Sequence, residues 1–322
     1  NMIETDHAKD KRRCVPVYSL YSETREPTAD MLRGIDLLLI DLQDVGTRIY
    51  TYIYTMANCL TAARKHGIKV VVCDRPNPIG GVDVEGPMLV HGYESFVGMY
   101  PIPMRHGMTI GELARMFNEA FGIGAELEIV EMVDWKRDMY SDDTDVPWVL
   151  PSPNVPTLDT AIVYPGTVLF EGTNVSEGRG TTRPFELVGA PWVDAEAFTD
   201  RMNGLGLPGV KFRPAVIEPT FHKHAKTSCG GCQIHVVDRE TFRPVEAGVA
   251  LIAAFHEADP RQFKWRDPPY EYEHEKLPFD ILAGSSELRE QIEDGMSSRD
   301  IAKSWEAPIK EFDKLRKKFL LY

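Results

Sequence analysis

Residues 35–74 read IDLLLIDLQDVGTRIYTYIYTMANCLTAARKHGIKVVVCD, and the fold class turns on how this stretch is divided. Ile35 to Asp41 is a continuous apolar run closed by an acid, the pattern of a strand buried on both faces of a parallel sheet. Ile49, Ile53, Met56, Leu60 and Ala63 then recur at helical spacing, and Gly67 is placed to end that helix. Lys69 to Cys73 (KVVVC) is a second apolar run, again closed by an acid, Asp74. Strand, helix and strand within this span make a right-handed βαβ unit with parallel strands. Ligands of open parallel sheets bind beyond the carboxyl ends of the strands. Asp41 with Leu42, Gln43 and Asp44, and Asp74 with the following RPNP, are therefore expected to face one crevice.

The same reading extends downstream. Thr109 to Glu112 (TIGE) is a capping box opening a helix that buries Ile110, Leu113, Met116 and Phe117, and LEIVEM follows as a strand. The proline-rich VPWVLPSPNVPT suits a joint between domains. Beyond it, AIVYPGTVLF reads as a strand, Ala195 to Met202 as a helix, and the segments near Val210 and Gln233 as strands. PVEAGVALIAAFHEA is a helix with Pro244 in its first turn. The last segment is an amphipathic helix carrying Trp305, Ile309, Phe312, Leu315 and Phe319 on one stripe, with Lys314, Arg316, Lys317 and Lys318 on a solvated face. The fold class is α/β: a parallel-sheet domain over residues 1–161, then a smaller α/β domain over 162–322.

Composition narrows the function. With 322 residues, 43% hydrophobic and 26% charged, the chain has the make-up of a folded, water-soluble protein of two domains. A net charge of −13 argues against a nucleic-acid or anionic-membrane partner, and no apolar run approaches the roughly 18 residues of a membrane span. Five cysteines, an odd number spread widely, define no disulfide framework. Cys229 and Cys232 form a CxxC near His222, His224 and His235, but no second pair stands at zinc spacing, so the segment reads as a glycine-rich turn entering a strand. Motifs for dinucleotide binding, the P-loop, zinc proteases and serine hydrolases are absent.

What remains is a set of polar loops rich in carboxylates, amides and arginines. They suit a hydroxyl-rich or acidic small molecule, a sugar above all, because paired carboxylates run the acid and base steps at a glycosidic bond. The densest is EGTNVSEGRGTTRPFE, Glu171 to Glu186. Glu171 follows the apolar VLF and should project into the crevice. Glu177 and Arg179 flank a glycine and favour an internal pair that shapes the loop, and Gly178 and Gly180 mark turns. Each candidate has a structural alternative: Asp41 and Asp74 could cap helices, His106 could precede a helix N-cap, and Arg75 could be an internal ion-pair partner.

Six motifs occur in order: DLQDVGTRIYTYIYTM, DRPNPIGG, VEGPML, SFVGMYPIPMRHGMTIGELA, LPSPNVPT and EGTNVSEGRGTTRPFELVGAPW. With the later FHKH and VVDRETF, they resemble the exo-β-N-acetylmuramidase family of peptidoglycan recycling (NamZ type, glycoside hydrolase family 171) over most of Tyr18 to Trp192. The resemblance implies a Rossmann-like catalytic domain, a smaller C-terminal α/β domain and a cleft between them, with no metal, nucleotide or other cofactor. It implies release of N-acetylmuramic acid from the non-reducing end of MurNAc-GlcNAc fragments, outside the cytoplasmic membrane or in the periplasm. On this reading Glu171, His106, Asp41 and Asp74 are the catalytic candidates. Gln43, Asp44, Arg48, Arg75, Asn77, Glu85, Arg105, Asn154, Asn174, Glu177 and Arg179 are candidates for substrate binding, and Arg75, Arg105 or Arg179 would meet the lactyl carboxylate of the sugar. Family members carry a PEHG motif, with the favoured catalytic acid, ahead of the SLY segment. This sequence starts after that point, so a fragment that is poorly soluble or inactive alone is the expectation. The alternatives are a muropeptide-binding protein without activity, an inactive truncated paralogue, and a sugar-processing transferase or deacetylase.

Overall fold

A computed structural model describes residues 5–322. A two-residue antiparallel ladder, β1 (Ala8–Lys9) with β2 (Pro16–Val17), comes first. Then follow β3 (Leu37–Ile40), α1 (Tyr52–His66), β4 (Lys69–Cys73), the antiparallel pair β5 (Glu85–Met88) and β6 (Pro103–Arg105), α2 (Ile110–Glu119) and β7 (Leu127–Val130). β3, β4 and β7 form a parallel sheet with β4 in the middle. Gly67 ends α1 in the left-handed conformation, its N–H bonded to Ala63 O, and Thr109 with Glu112 closes the expected capping box on α2.

Burial of β3 departs from the sequence reading. Leu38, Ile40, Val70, Val72, Leu127 and Ile129 belong to the core cluster that α1 and α2 build over one face of the sheet. On the other face Leu37, Leu39 and Val130 are 48%, 59% and 48% exposed. The run is apolar on both sides, but helices cover only one of them.

The second half begins with α3 (Leu158–Thr167) and a 3₁₀ turn (Val168–Gly172). β8 (Leu187–Ala190), α4 (Ala195–Gly204), β9 (Val210–Ile217), β10 (Cys229–Val236) and α5 (Pro244–Ala258) follow. The short helices α6 (Pro278–Ala283), α7 (Glu287–Glu293) and α8 (Ser298–Ser304) lead to α9 (Glu306–Arg316). β8, β10 and β9 make an antiparallel sheet with β10 central, which leaves Pro214 on an edge strand where its missing N–H costs least.

Two readings are corrected here. AIVYPGTVLF is helix and 3₁₀ turn, not strand: Thr157 caps α3 by accepting from Thr160 N, and the segment is buried on every side, so no helical stripe shows in its sequence. Gly166 and Gly248 let α3 and α5 touch backbone to backbone, since a Cβ on Gly166 would stand 1.8 Å from Pro244 O. The CxxC lies within β10 and not in a turn: both thiols are free and buried, and Gly230 and Gly231 admit carbonyls that a Cβ would strike at 2.0 and 1.9 Å. Among the described residues no group of three or more His, Cys, Asp or Glu could hold a metal ion.

The terminal helix does not stay with the second half. Phe312 and Phe319 join the core under the parallel sheet. Arg316, expected on a solvated face, is buried and donates to Gly81 O, Val82 O and Gly107 O. Conversely Val45, Ile49, Tyr50, Ile79, Val97 and Met104 join the core of the second half, so the two halves share their packing.

Candidate active site

The carboxyl ends of β3 and β4 open onto a groove. Asp41 takes both Nε and Nη2 of Arg75, at 2.6 and 3.1 Å, and this pair stands partly in water. The Arg75 hydrogen bonds hold the Asp41 carboxyl below its ordinary range. Gln43 lines the groove and is oriented by Asp44 O and Pro76 O. Two adjoining hollows of about 370 and 730 Å³ share Asp41, Arg75 and Pro76, and the proline-rich crossing, with Trp148 and Pro151, forms the wall of the smaller one.

Several other candidates are built into the scaffold behind this groove. Asp74 accepts from Thr109 Oγ1 (2.7 Å), Gly111 N (2.7 Å), Arg75 N (2.9 Å) and the Tyr322 hydroxyl (3.0 Å), which ties it to the N-terminus of α2. Burial raises its pKa against those bonds. His106 is fully buried, accepts from Met108 N at Nδ1, and places Nε2 3.2 Å from Asp44 Oδ2 without the alignment of a hydrogen bond. Asn77 bridges Met108 O and Ile79 N. Arg105 donates to Ile79 O and pairs with Asp83. Arg48 reaches no carboxylate: its guanidinium donates to the carbonyls of Pro87, Ile102, Leu282 and Ala283, and burial draws its pKa down to about 10. Glu85 accepts from Glu246 N and lies at a separate hollow with Arg243 and Arg299.

Glu171 lies elsewhere on the same surface, in a cleft of about 510 Å³ that meets the Asp41 groove at Tyr52 and Pro151. The 3₁₀ turn after α3 delivers it, and Gly172 packs so closely on Phe279 that a Cβ would meet its backbone at 2.5 Å. Both oxygens of Glu171 are occupied, Oε1 by Arg179 and Oε2 by the Tyr270 hydroxyl at 2.9 Å. Tyr50, Tyr52, Tyr164 and Asn154 complete the walls. Burial first, and the charge of Glu171 second, keep the Tyr164 and Tyr270 phenols protonated well past their ordinary range. Arg179 also sets Nε 3.2 Å from Glu177, so one guanidinium joins the two acids of the loop. Burial alone would lower the Arg179 pKa, but the two carboxylates outweigh it and hold it raised. Asn174 does not line this cleft; it donates to Gln262 O and accepts from Lys264 N, pinning the loop.

Two family models divide the chain, the N-terminal part of exo-β-N-acetylmuramidase NamZ over residues 1–159 and its C-terminal part over residues 162–322. The chain belongs to the NamZ family. A NamZ relative from Bacillus subtilis strain 168, described as peptidoglycan β-N-acetylmuramidase, is 51% identical over 313 residues, which are 97% of this chain and 74% of that protein. Two crystal structures of DUF1343 family proteins from Bacteroides fragilis cover 98% of this chain and 82% of their own, with TM-scores of 0.89 at 35% identity and 0.74 at 29%. Against this NamZ frame, the tyrosines of the cleft are what sequence reasoning missed. Tyr270 and Glu271 come from PPYEYEHEK, about a hundred positions after Glu171, and their dense alternation of aromatic and acid was the available signal.

Proposed function

We infer that the chain is an exo-acting β-N-acetylmuramidase that releases N-acetylmuramic acid from the non-reducing end of peptidoglycan fragments such as MurNAc-GlcNAc during cell-wall turnover. The observation that carries the reading is Glu171, an acid clamped by Arg179 and Tyr270 at the edge of a tyrosine-walled cleft, in a chain of this family. Aromatic faces pack on the apolar side of a sugar ring, and the clamp fixes the direction of the Glu171 carboxylate. An ionised carboxylate stabilises the positive charge that develops at the anomeric carbon, either directly or by attack, while a second acid delivers the proton to the leaving oxygen. Of the three arginines considered for the lactyl carboxylate, Arg105 is enclosed and Arg179 is committed to Glu171 and Glu177. Arg75, partly exposed in the contiguous groove and paired only with the surface acid Asp41, is best suited to meet that group. We propose that it does this work outside the cytoplasmic membrane or in the periplasm, where the wall is turned over.

Glu171→Gln keeps the shape and the acceptor for Arg179 but removes the charge. Its kcat on a chromogenic β-muramide should fall by about 10²–10⁴-fold, with folding unchanged by circular dichroism. An unaltered rate removes Glu171 from the chemistry. Calorimetric binding of the disaccharide by the unaltered chain with no sugar released would favour a muropeptide-binding module instead.

A further inference from the structure

Behind the cleft a second loop grips the Glu171–Glu186 stretch. Residues 218–228 join β9 to β10, and three of them, His222, His224 and Lys226, hold φ of 72°, 53° and 61°. Non-glycine residues adopt this conformation only where their surroundings impose it, and three within five positions mark a segment held under strain. Besides bonds within the loop and the edge of His224 against Trp192, several contacts reach the stretch below and its flank. Thr220 N donates to Gly180 O, His224 Nε2 lies 2.6 Å from Asn174 O, and Lys223 Nζ reaches Phe170 O (2.7 Å), Val175 O (3.1 Å) and Glu177 Oε2 (2.8 Å). Lys223 thus ties down the carbonyl just before Glu171 and the acid that holds Arg179.

Glu177 itself is fully buried beneath the cleft and touches nothing that could be substrate. Lys223 Nζ, His222 Nδ1 at 3.2 Å and Arg179 Nε at 3.2 Å surround it. A buried carboxylate with three such partners is costly to build and gives the surface nothing by itself. Its geometric effect is on Arg179, whose guanidinium is fixed from below by Glu177 and, from that position, grips Glu171 above. We propose that Glu177 and Lys223 are positioning residues for the muramidase reaction, a clasp that sets the direction of Glu171 through Arg179. This rests on Glu171 being the ionised carboxylate of the reaction.

The test uses the full chain, with turnover of a chromogenic β-muramide and calorimetric binding of N-acetylmuramic acid as its two readouts. The charged and titratable groups facing Glu171 are Arg179, Lys223 and Glu177 from below and Tyr164, Tyr270 and Glu271 across the cleft. Lys223→Met removes a cation from this set, and Glu177→Gln removes an anion. Both should lower kcat by about 10–100-fold with KM within a few-fold, as displaced reacting groups do. The acidic limb of kcat/KM should move to higher pH in Lys223→Met and to lower pH in Glu177→Gln. Opposite movements do not arise from a general loosening of the fold. If Lys223→Met fails to fold, His222→Gly removes a partner of Glu177 while relieving a left-handed backbone, and should show a smaller loss of kcat with KM within a few-fold. Turnover by the unaltered chain with kcat and the acidic limb unchanged in folded variants overturns the clasp alone. Absence of turnover by the unaltered chain, with or without binding, overturns the muramidase reading, and the clasp falls with it.

Discussion

Glu85 shows how far a side chain's neighbours decide its role. In sequence it stands in VEGPML among motifs that pointed to substrate, yet it is buried against the start of α5, accepts from Glu246 N, and burial pushes its pKa up to about 7. The folded chain therefore binds this proton more tightly than the unfolded chain does. Stability should fall as pH rises from the ordinary carboxyl range near 4.5 through 7. Glu85→Gln keeps the acceptor and removes that dependence. Thermal melts should show the variant more stable than the unaltered chain above pH 7, by up to about 3 kcal/mol, and no different at pH 4. Arg48 is a second case. Replacing it with Met leaves four buried carbonyls without their donor, and the loss should be about 3–5 kcal/mol in a denaturant titration. The residue types of the site were readable at this scale, since Asp41, Arg75, Glu171 and Arg179 do line the grooves. Which polar residues are consumed inside was not readable, because the partners lie far along the chain: Leu282 and Ala283 for Arg48, Tyr322 for Asp74.

Among the elements, the legible ones carry their own punctuation. α1 has Gly67, α2 has its capping box and α5 has Pro244, and each follows from local chemistry that no tertiary contact overrides. α3 fails the same reading because periodicity reports a difference between two faces, and α3 has none: all its residues from Thr160 to Thr167 are buried. The short helices α6 to α8 are one to two turns each and offer too few residues for a period to show. The Gly166–Gly248 crossing predicts an effect at this scale. Gly166→Ala forces α3 away from α5, which should cost about 1–3 kcal/mol. Because α3 runs straight into the turn holding Glu171, the variant should also lose activity at temperatures where it is still folded. Activity that tracks folded fraction alone would show that the crossing does not set the turn.

For the whole molecule, the parallel sheet predicts association. Among the described residues its strand order β3-β4-β7 leaves β3 as an edge, and Leu37 and Leu39 stand beside Val130 on a face that none of the described helices covers. Exposed apolar edges of this kind recruit other polypeptide. Sedimentation velocity of the chain should show concentration-dependent association, weakened by about 1–2 kcal/mol in Leu39→Lys, with the melting temperature unchanged. A chain that stays monomeric at high concentration would mean the face is tolerated in water. The sequence pattern had announced this surface, because β3 is apolar at every position, but it expected cover on both sides. The exchange of core residues between the two halves was not legible, since nothing local says that Phe312 and Phe319 finish the first core or that Val45 and Met104 enter the second.

The hydroxyl of Tyr322, which donates to Asp74 and accepts from Met132 N, has a consequence in time. A ribosome makes the parallel sheet early and α9 late, yet the carboxyl ends of β4 and β7 are joined by a side chain 248 positions downstream of Asp74. During synthesis the first half can collapse around α1 and α2, but its ligand-binding edge stays open until the far segment arrives. The groove that begins at Asp41 therefore takes its final shape only after the segment carrying Tyr322 has arrived, although its own residues leave the ribosome well before that segment.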